Sequence, residues 1–396
     1  MTRFVSKQGP PGLLRLCVVF HESEALGAGR SELNCLPDLQ ELGWTATGWF
    51  PGEGELVEEE PGALAARIVE DKPIAYSARG WRAAPGVVPR ALRTPGYLRS
   101  FRRALLAHRP HVVHVNTLRA LPEASIARTL GIPVVVHVHE LPDAGVKSAA
   151  VLRWAAQAGD VLVAVSGAVA TRLRPYAGAT PLLVVHNGIE PLDIERKAKR
   201  GTVGTIATVA RTKGTDVFLH AAELALARDS SLRFEHAGAR GLDNDADFAR
   251  RIDDQAARLA DGVTMLGTRP AAELLARWEL FVMPSRQDSF PLAVLEAMSV
   301  GVPVIASSVG GIPEQLMHLE TGVLVPSGNA VELADWIVRL HGDAPLRRKL
   351  AKAAAARVRS EFTTSAQALG LHRAYLAALN LRHAPPPVRR ATLEAL

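Results

Sequence analysis

Residues 285–307 read SRQDSFPLAVLEAMSVGVPVIAS. The segment before them, ELFVMPS (279–285), is a short apolar run ending in Pro284 and Ser285, as a buried strand would. SRQDS is polar and turn-like. Pro291 suits a first helical turn, where its missing N–H costs nothing, and Asp288 or Ser289 is expected as N-cap. The helix then runs PLAVLEAMSV and stops at Gly301, with Pro303 as a second stop signal. PVIAS gives the next strand, so the unit is β-α-β and the implied sheet is parallel.

That helix is apolar almost all round (Leu292, Ala293, Val294, Leu295, Ala297, Met298, Val300), which predicts burial. Glu296 in its middle is costly unless something pairs with it. Either it reaches solvent or a structural hydrogen bond, or it meets a ligand. A helix start presents unpaired amides and partial positive charge, which together bind anions. Glu296 lies five residues beyond Pro291, about 7–8 Å along the axis, and its side chain leans back toward that start. A nucleotide satisfies both ends, with phosphate on the amides and the ribose diol on Glu296. Asp288, outside the helix start, can then accept hydrogen bonds from whatever the phosphate carries.

DSFPLAVLEAMSVGVPVIASSVGGIPE (288–314) closely resembles the acid-x7-acid segment of retaining GT-B glycosyltransferases of family 4. Both acids, the F-P-L turn, the helix stop and the GGIPE loop occur together, although Asp288 stands where the family more often has Glu. The resemblance runs from about residue 14 to 378 and is densest over 203–326. It implies an α/β protein of GT-B fold, two doubly wound Rossmann-like domains facing across a cleft, with the last helix crossing back onto the N-terminal half.

Length and composition agree with two domains. The chain has 396 residues, 48% of them hydrophobic and 22% charged, enough for two ordinary cores. The longest apolar runs, such as VLVAVSGAVA, are shorter than a membrane span, and no signal peptide is read at the N-terminus. Cys17 and Cys35 give neither a disulfide framework nor a metal spacing. A cytoplasmic protein is expected, free or peripheral at the inner face of the membrane. Net charge is +6 and unevenly spread. Residues 53–71 hold seven acids, whereas Lys72 to Pro122 has none and nine arginines. That asymmetry points to an anionic partner.

Along the chain, LRLCVVF, WTATGWF, HVVHVNT, IPVVVHVHE, VLVAVS and LLVVHNGI read as strands, with helices at SELNCLPDLQELG, at ASIARTLG and after Ser166. EPLDIERKAKRG is charged and aperiodic and is assigned as the linker. The expected division is 1–189, linker 190–201, a nucleotide-sugar domain 202–365, and 366–396 as returning helix plus tail. The second half repeats the alternation, from TVGTIATV through DVFLHAAELALAR, LRFEHAG and FARRIDDQAARLA to VTMLG.

Several further residues carry a functional and a structural reading. Lys213, in the loop after TVGTIATV, either clamps a diphosphate together with nearby amides or is a solvated loop lysine. Family members commonly have Gly-Arg five residues before this lysine. Here the pair is Ala207-Thr208, so that role passes to Arg211 or is lost, and Thr208 offers only a hydroxyl. LGAGRS resembles a dinucleotide loop, but Glu32 occupies the third glycine position, which argues against a dehydrogenase. Under the resemblance this loop abuts the sugar and acceptor, where Gly27 and Gly29 allow close backbone approach; a plain tight turn is the other reading. His137 and His139 lie on one strand face at a spacing that can bind metal, yet no further ligands accompany them, so no zinc is expected. The resemblance gives His139 a contact with the donor sugar. Asp243, Asp245 and Asp247 lack the glycine and terminal glutamate of a calcium loop. In RALRTPGYLRSFRRALLAHR (90–109), Tyr97, Phe101 and Leu105 repeat every four residues among arginines. That pattern fits an anionic membrane or acceptor contacted through 79–109, or simply packing on the domain's own core. No nucleic-acid motif accompanies it.

The sequence therefore reads as a retaining glycosyltransferase with a nucleotide-diphosphate-sugar donor, an unidentified acceptor, and neither cofactor nor metal. His139, Asp288 and Lys213 are the catalytic candidates. Glu296, Ser289, Phe290, Pro291, Leu292, Thr208, Arg211 and Gly267 are the donor-binding candidates, with Gly310 and Gly311 shaping the pocket wall. Two other classes stay open: a GT-B sugar-nucleotide epimerase, and a degenerate partner subunit without transfer activity.

Overall fold

A computed structural model describes residues 3–6, 13–22, 24, 27–58, 62–70, 72, 87–142, 145–240 and 246–383. Asp243, Asp245 and the part of the basic segment at 79–86 lie outside these. The chain forms two compact units, one of residues up to Gly188 together with those from Thr364 onward, the other Ile189–Thr363.

The first unit opens with β1 (Arg3–Ser6), β2 (Leu14–Val19), α1 (Gly27–Glu41), β3 (Trp44–Phe50), α2 (Glu55–Glu58) and β4 (Leu64–Val69). It continues through α3 (Val87–His108), β5 (Val112–Asn116), α4 (Leu121–Thr129), β6 (Val134–Val138), α5 (Val146–Ala158), β7 (Val161–Ala164), α6 (Gly167–Ala177) and β8 (Leu182–Val184). Strand order is β1-β4-β3-β2-β5-β6-β7-β8, parallel except for β1 on β4. Strands β5, β6 and β7 are buried at every position, as valine-rich strands covered on both faces must be. Ser166 caps α6 by accepting from the Val169 amide.

The second unit holds β9 (Thr202–Ile206), α7 (Thr215–Leu226), β10 (Arg233–Ala237), α8 (Ala246–Arg258), β11 (Val263–Gly267), α9 (Ala271–Arg277) and β12 (Leu280–Met283). Then follow α10 (Leu292–Ser299), β13 (Val304–Ser307), α11 (Ile312–Gln315), β14 (Val323–Val325), α12 (Ala330–Gly342) and α13 (Ala344–Glu361). Its parallel order, β11-β10-β9-β12-β13-β14, reverses direction between β9 and β12. Ligands of doubly wound sheets bind at that reversal, beyond the strand C-termini. A final helix, α14 (Thr364–His383), packs on the first unit, with Ala368, Leu371, Ala374 and Tyr375 in the core that α1 also lines.

Two expectations need correction, and one open reading is decided. The loop predicted around Gly27 and Gly29 is helical: both glycines lie in the first turn of α1, and a Cβ on Gly29 would stand 2.7 Å from Leu56 Cδ2, so close helix packing accounts for that glycine. The N-cap of α10 is Pro291, with no side-chain cap, because the carboxylate of Asp288 is turned elsewhere. The apolar stripe of α3 is internal. Tyr97, Phe101 and Leu105 are buried, and the Tyr97 hydroxyl accepts from Trp49 Nε1 and donates to Glu123.

Candidate active site

At the reversal point of the second sheet, two loops meet: residues 207–214 after β9 and 284–291 after β12. Lys213 Nζ lies 2.8 Å from Asp288 Oδ2, and Ser285 Oγ donates to the same oxygen at 3.0 Å. Asp288 is nearly enclosed while Lys213 keeps about a third of its side chain exposed, so the ammonium has an open side. Backbone bonds lock the loops together, since the amides of Arg286 and Gln287 both donate to Thr212 O. Arg286 adds a bidentate pair to Asp216 in the first turn of α7, at 2.6 and 2.8 Å. Burial alone would raise the Asp216 pKa, but the hydrogen bonds and charge of Arg286 outweigh it and hold the carboxyl below its usual value.

Two glycines permit this closeness. Gly214 has φ +69 and a Cβ there would stand 2.0 Å from Pro284 O; at Gly310, with φ +53, a Cβ would stand 1.6 Å from Asp288 O. The Gly311 amide donates to that same carbonyl at 3.2 Å. Gly310 and Gly311 thus wall the Asp288 turn directly.

The donor-side candidates surround this pair. Ser289 and Pro291 are partly exposed at the start of α10, Leu292 opens the helix, and Phe290 is buried with its ring edge-on to Phe362. Gln315 Nε2 donates to Pro291 O at 3.0 Å and steadies the turn. Glu296 is partly exposed on a helix whose other residues, Ala293 apart, are buried, which is the gap that an acid among apolar neighbours requires. Thr208 is partly exposed beyond β9, and exposed Arg211 lays its guanidinium 4.8 Å over the Phe248 ring. Gly267, at φ +66, closes β11 and accepts from the Gly238 amide. Gly238 went unrecognised in the sequence although its Cβ would stand 2.0 Å from Ala207 O, and it fixes the Ala207–Thr208 turn.

In the first unit His139 follows β6, almost fully buried, and its Nε2 shares a hydrogen bond with His137 Nδ1 at 3.1 Å. Burial, then the neighbouring His137, His114 and His21, holds its pKa well below the usual imidazole value, so the ring is neutral. The further ligand that the sequence did not supply comes from α1: Glu32 faces both histidines, and one donor atom from each of the three lies within 4.8 Å of the others. The signal was present in the sequence, since Glu32 shares a helical face with Cys35, Leu36 and Leu39, all buried.

Residues 200–343 match the sequence model for glycosyl transferases group 1, and residues 27–191 match that for Glycosyltransferase Family 4. The chain belongs to this family. Among curated relatives of this family-4 chain, N-acetyl-alpha-D-glucosaminyl L-malate synthase of Bacillus anthracis is 40% identical over 105 residues, 26% of this chain and 28% of that protein. D-inositol 3-phosphate glycosyltransferase of Pseudarthrobacter chlorophenolicus is 34% identical over 180 residues, 44% and 42% of the two chains. The chain thus spans less than half the length of the first curated relatives it matches. Among solved structures, Anabaena HepE in complex with UDP and glucose superposes with a TM-score of 0.74 at 19% identity, covering 91% of this chain and 98% of that one. This likeness supports the two-domain Rossmann-like GT-B fold.

Proposed function

We propose that this family-4 chain is a retaining glycosyltransferase that moves a sugar from a nucleotide-diphosphate-sugar donor to an acceptor. The observation that carries the reading is the Lys213–Asp288 pair at the sheet reversal, next to the start of α10, in whose second turn Glu296 lies. Glu296 would take the ribose hydroxyls. Lys213 and the α10 start would hold the diphosphate, with Arg211 and Thr208 alongside. Asp288 and the amides of Ser289 and Phe290 would take sugar hydroxyls. Positive charge fixed at the diphosphate stabilises the leaving group as the glycosidic bond breaks, which is where preorganised electrostatics contributes most to rate. Neutral His139 suits hydrogen bonding to sugar rather than charge stabilisation.

Asp288 also answers the departure from the family's usual glutamate: the shorter acid reaches Lys213 directly, so the loops are assembled before donor arrives. The exposed arginines Arg93, Arg99, Arg102, Arg103 and Arg109 would form the part of an anionic contact face that lies among the described residues. Among those residues no helix is long and apolar enough to cross a membrane.

The test is thermal unfolding of the chain with UDP, GDP and ADP. UDP comes first because HepE was crystallised with it. At one hundred times its dissociation constant a ligand stabilises by about 2.7 kcal/mol. A shift with one nucleotide is expected and identifies the donor base. No shift with any of them favours the degenerate subunit, whereas conversion of the donor sugar without acceptor favours the epimerase.

A further inference from the structure

We propose that Glu32, His137 and His139 form a binding site for a divalent first-row transition-metal ion, one that ties α1 to the end of β6. His137 and His139 are alternate residues at the C-terminal end of the strand, so their rings share a face. The helix covering that face places Glu32 opposite them. His137 Nδ1 and His139 Nε2 are 3.1 Å apart, and Glu32 Oε2 is 3.7 Å from His137 Nδ1. An ion bonded to nitrogen and oxygen at about 2.0–2.2 Å with tetrahedral angles separates its ligand atoms by about 3.3 Å. The two observed separations bracket that value.

A second observation is independent of ligand spacing. Glu32 is completely buried, and neither carboxylate oxygen has a well-formed hydrogen bond. The Tyr375 hydroxyl interacts with the carboxylate but is shared with His114 Nδ1, 2.6 Å away, so one proton at most reaches Glu32 from it. A buried carboxylate aimed at two imidazole nitrogens is expensive unless a cation or a proton answers it. The His114 ring, 3.4 Å from Glu32 Oε1, stands where an outer partner orients a ligating carboxylate. Two imidazoles and one carboxylate suit zinc or cobalt, whereas magnesium prefers an all-oxygen shell. The inference does not depend on sugar transfer.

The experiment uses the full, untagged chain dialysed against chelator and titrated with cobalt(II), followed by visible absorption, with thermal unfolding in zinc and in magnesium run alongside. One equivalent of cobalt is expected to give the intense bands of a four- or five-coordinate ion, displaced by one equivalent of zinc. Zinc should raise the unfolding temperature and magnesium should not. Glu32→Leu should abolish both effects, yet unfold metal-free at least as high as the wild type, because it removes a poorly satisfied buried polar group. Should that variant fail to fold, His139→Gln, at the edge of the cluster, is expected to weaken cobalt binding about tenfold or more. An unchanged aqueous cobalt spectrum in the wild type overturns the site. So does cobalt uptake that persists in the folded variants, which would locate the ion elsewhere.

Discussion

Asp288 links three parts of the second unit: its carboxylate joins Lys213 to Ser285, and its carbonyl meets Gly311 beside the cramped Gly310. Lys213→Ala leaves that enclosed carboxylate with only the serine hydroxyl, so a stability loss of about 1–3 kcal/mol is expected in urea unfolding, together with loss of the nucleotide-induced shift. Gly310→Ala should be worse for binding than its size suggests. It forces a methyl into the Asp288 carbonyl at positive φ, costing about 1–3 kcal/mol and displacing the turn; retention of full nucleotide binding would contradict this account. The sequence made Glu296, Lys213 and Asp288 legible because an acid inside an apolar helix and a lysine before a helix start are anomalies in any fold. It did not reveal that Asp288 faces Lys213, since that depends on two loops 75 residues apart closing on each other. Glu32 was legible by the same reasoning as Glu296, an acid on an apolar helical face, but its position in a glycine pattern drew the reading toward a loop.

At the scale of elements, α3 separates two readings of one pattern. Tyr97, Phe101 and Leu105 are spent on the domain's own core, while the arginines between them stay outside. Phe101→Ala is therefore expected to cost about 3–5 kcal/mol, and Arg102→Gln to change stability by no more than about 0.5 kcal/mol, both read as urea midpoints. Valine-rich strands such as β5 and β6 were visible in the sequence because full burial leaves an uninterrupted apolar run. Strand β4 was not: its burial alternates, it follows a strongly acidic segment, and only its place beside β3 makes it a strand. β1 was also hidden, because four residues become a strand only through their antiparallel pairing with β4.

For the molecule as a whole, buried histidines set the response to acid. Burial lowers the pKa of His114 to about 4, of His137 to about 3 and of His236 to about 4, and that of His139 well below normal. Each binds its proton in the unfolded chain near 6.5 but not in the folded one, so each contributes stability that is lost as pH falls below that value. Glu32, raised by burial and only partly lowered by His114 and Tyr375, acts oppositely: the folded chain holds its proton above the usual carboxylate range. Four imidazoles against one carboxylate leave net proton uptake on unfolding between pH 6 and 5. The metal-free protein should therefore lose more than about 1.4 kcal/mol of stability per pH unit there; a flat profile would contradict the burial of these rings. The two-sheet alternation was readable from the sequence because strands and helices repeat their own periodicities. The neutral state of His114, His137 and His139 was not, because it depends on what α1 and α14 lay over the first sheet.

The central claim is that a nucleoside diphosphate binds the second unit between Lys213 and Glu296. Calorimetric titration of the nucleotide that stabilises the wild type, repeated on Glu296→Ala and Lys213→Ala, tests it most directly. The account predicts that each variant stays folded and loses about tenfold or more in affinity, a change of about 1.4 kcal/mol or greater. Unchanged affinity in a folded Glu296→Ala protein would contradict it.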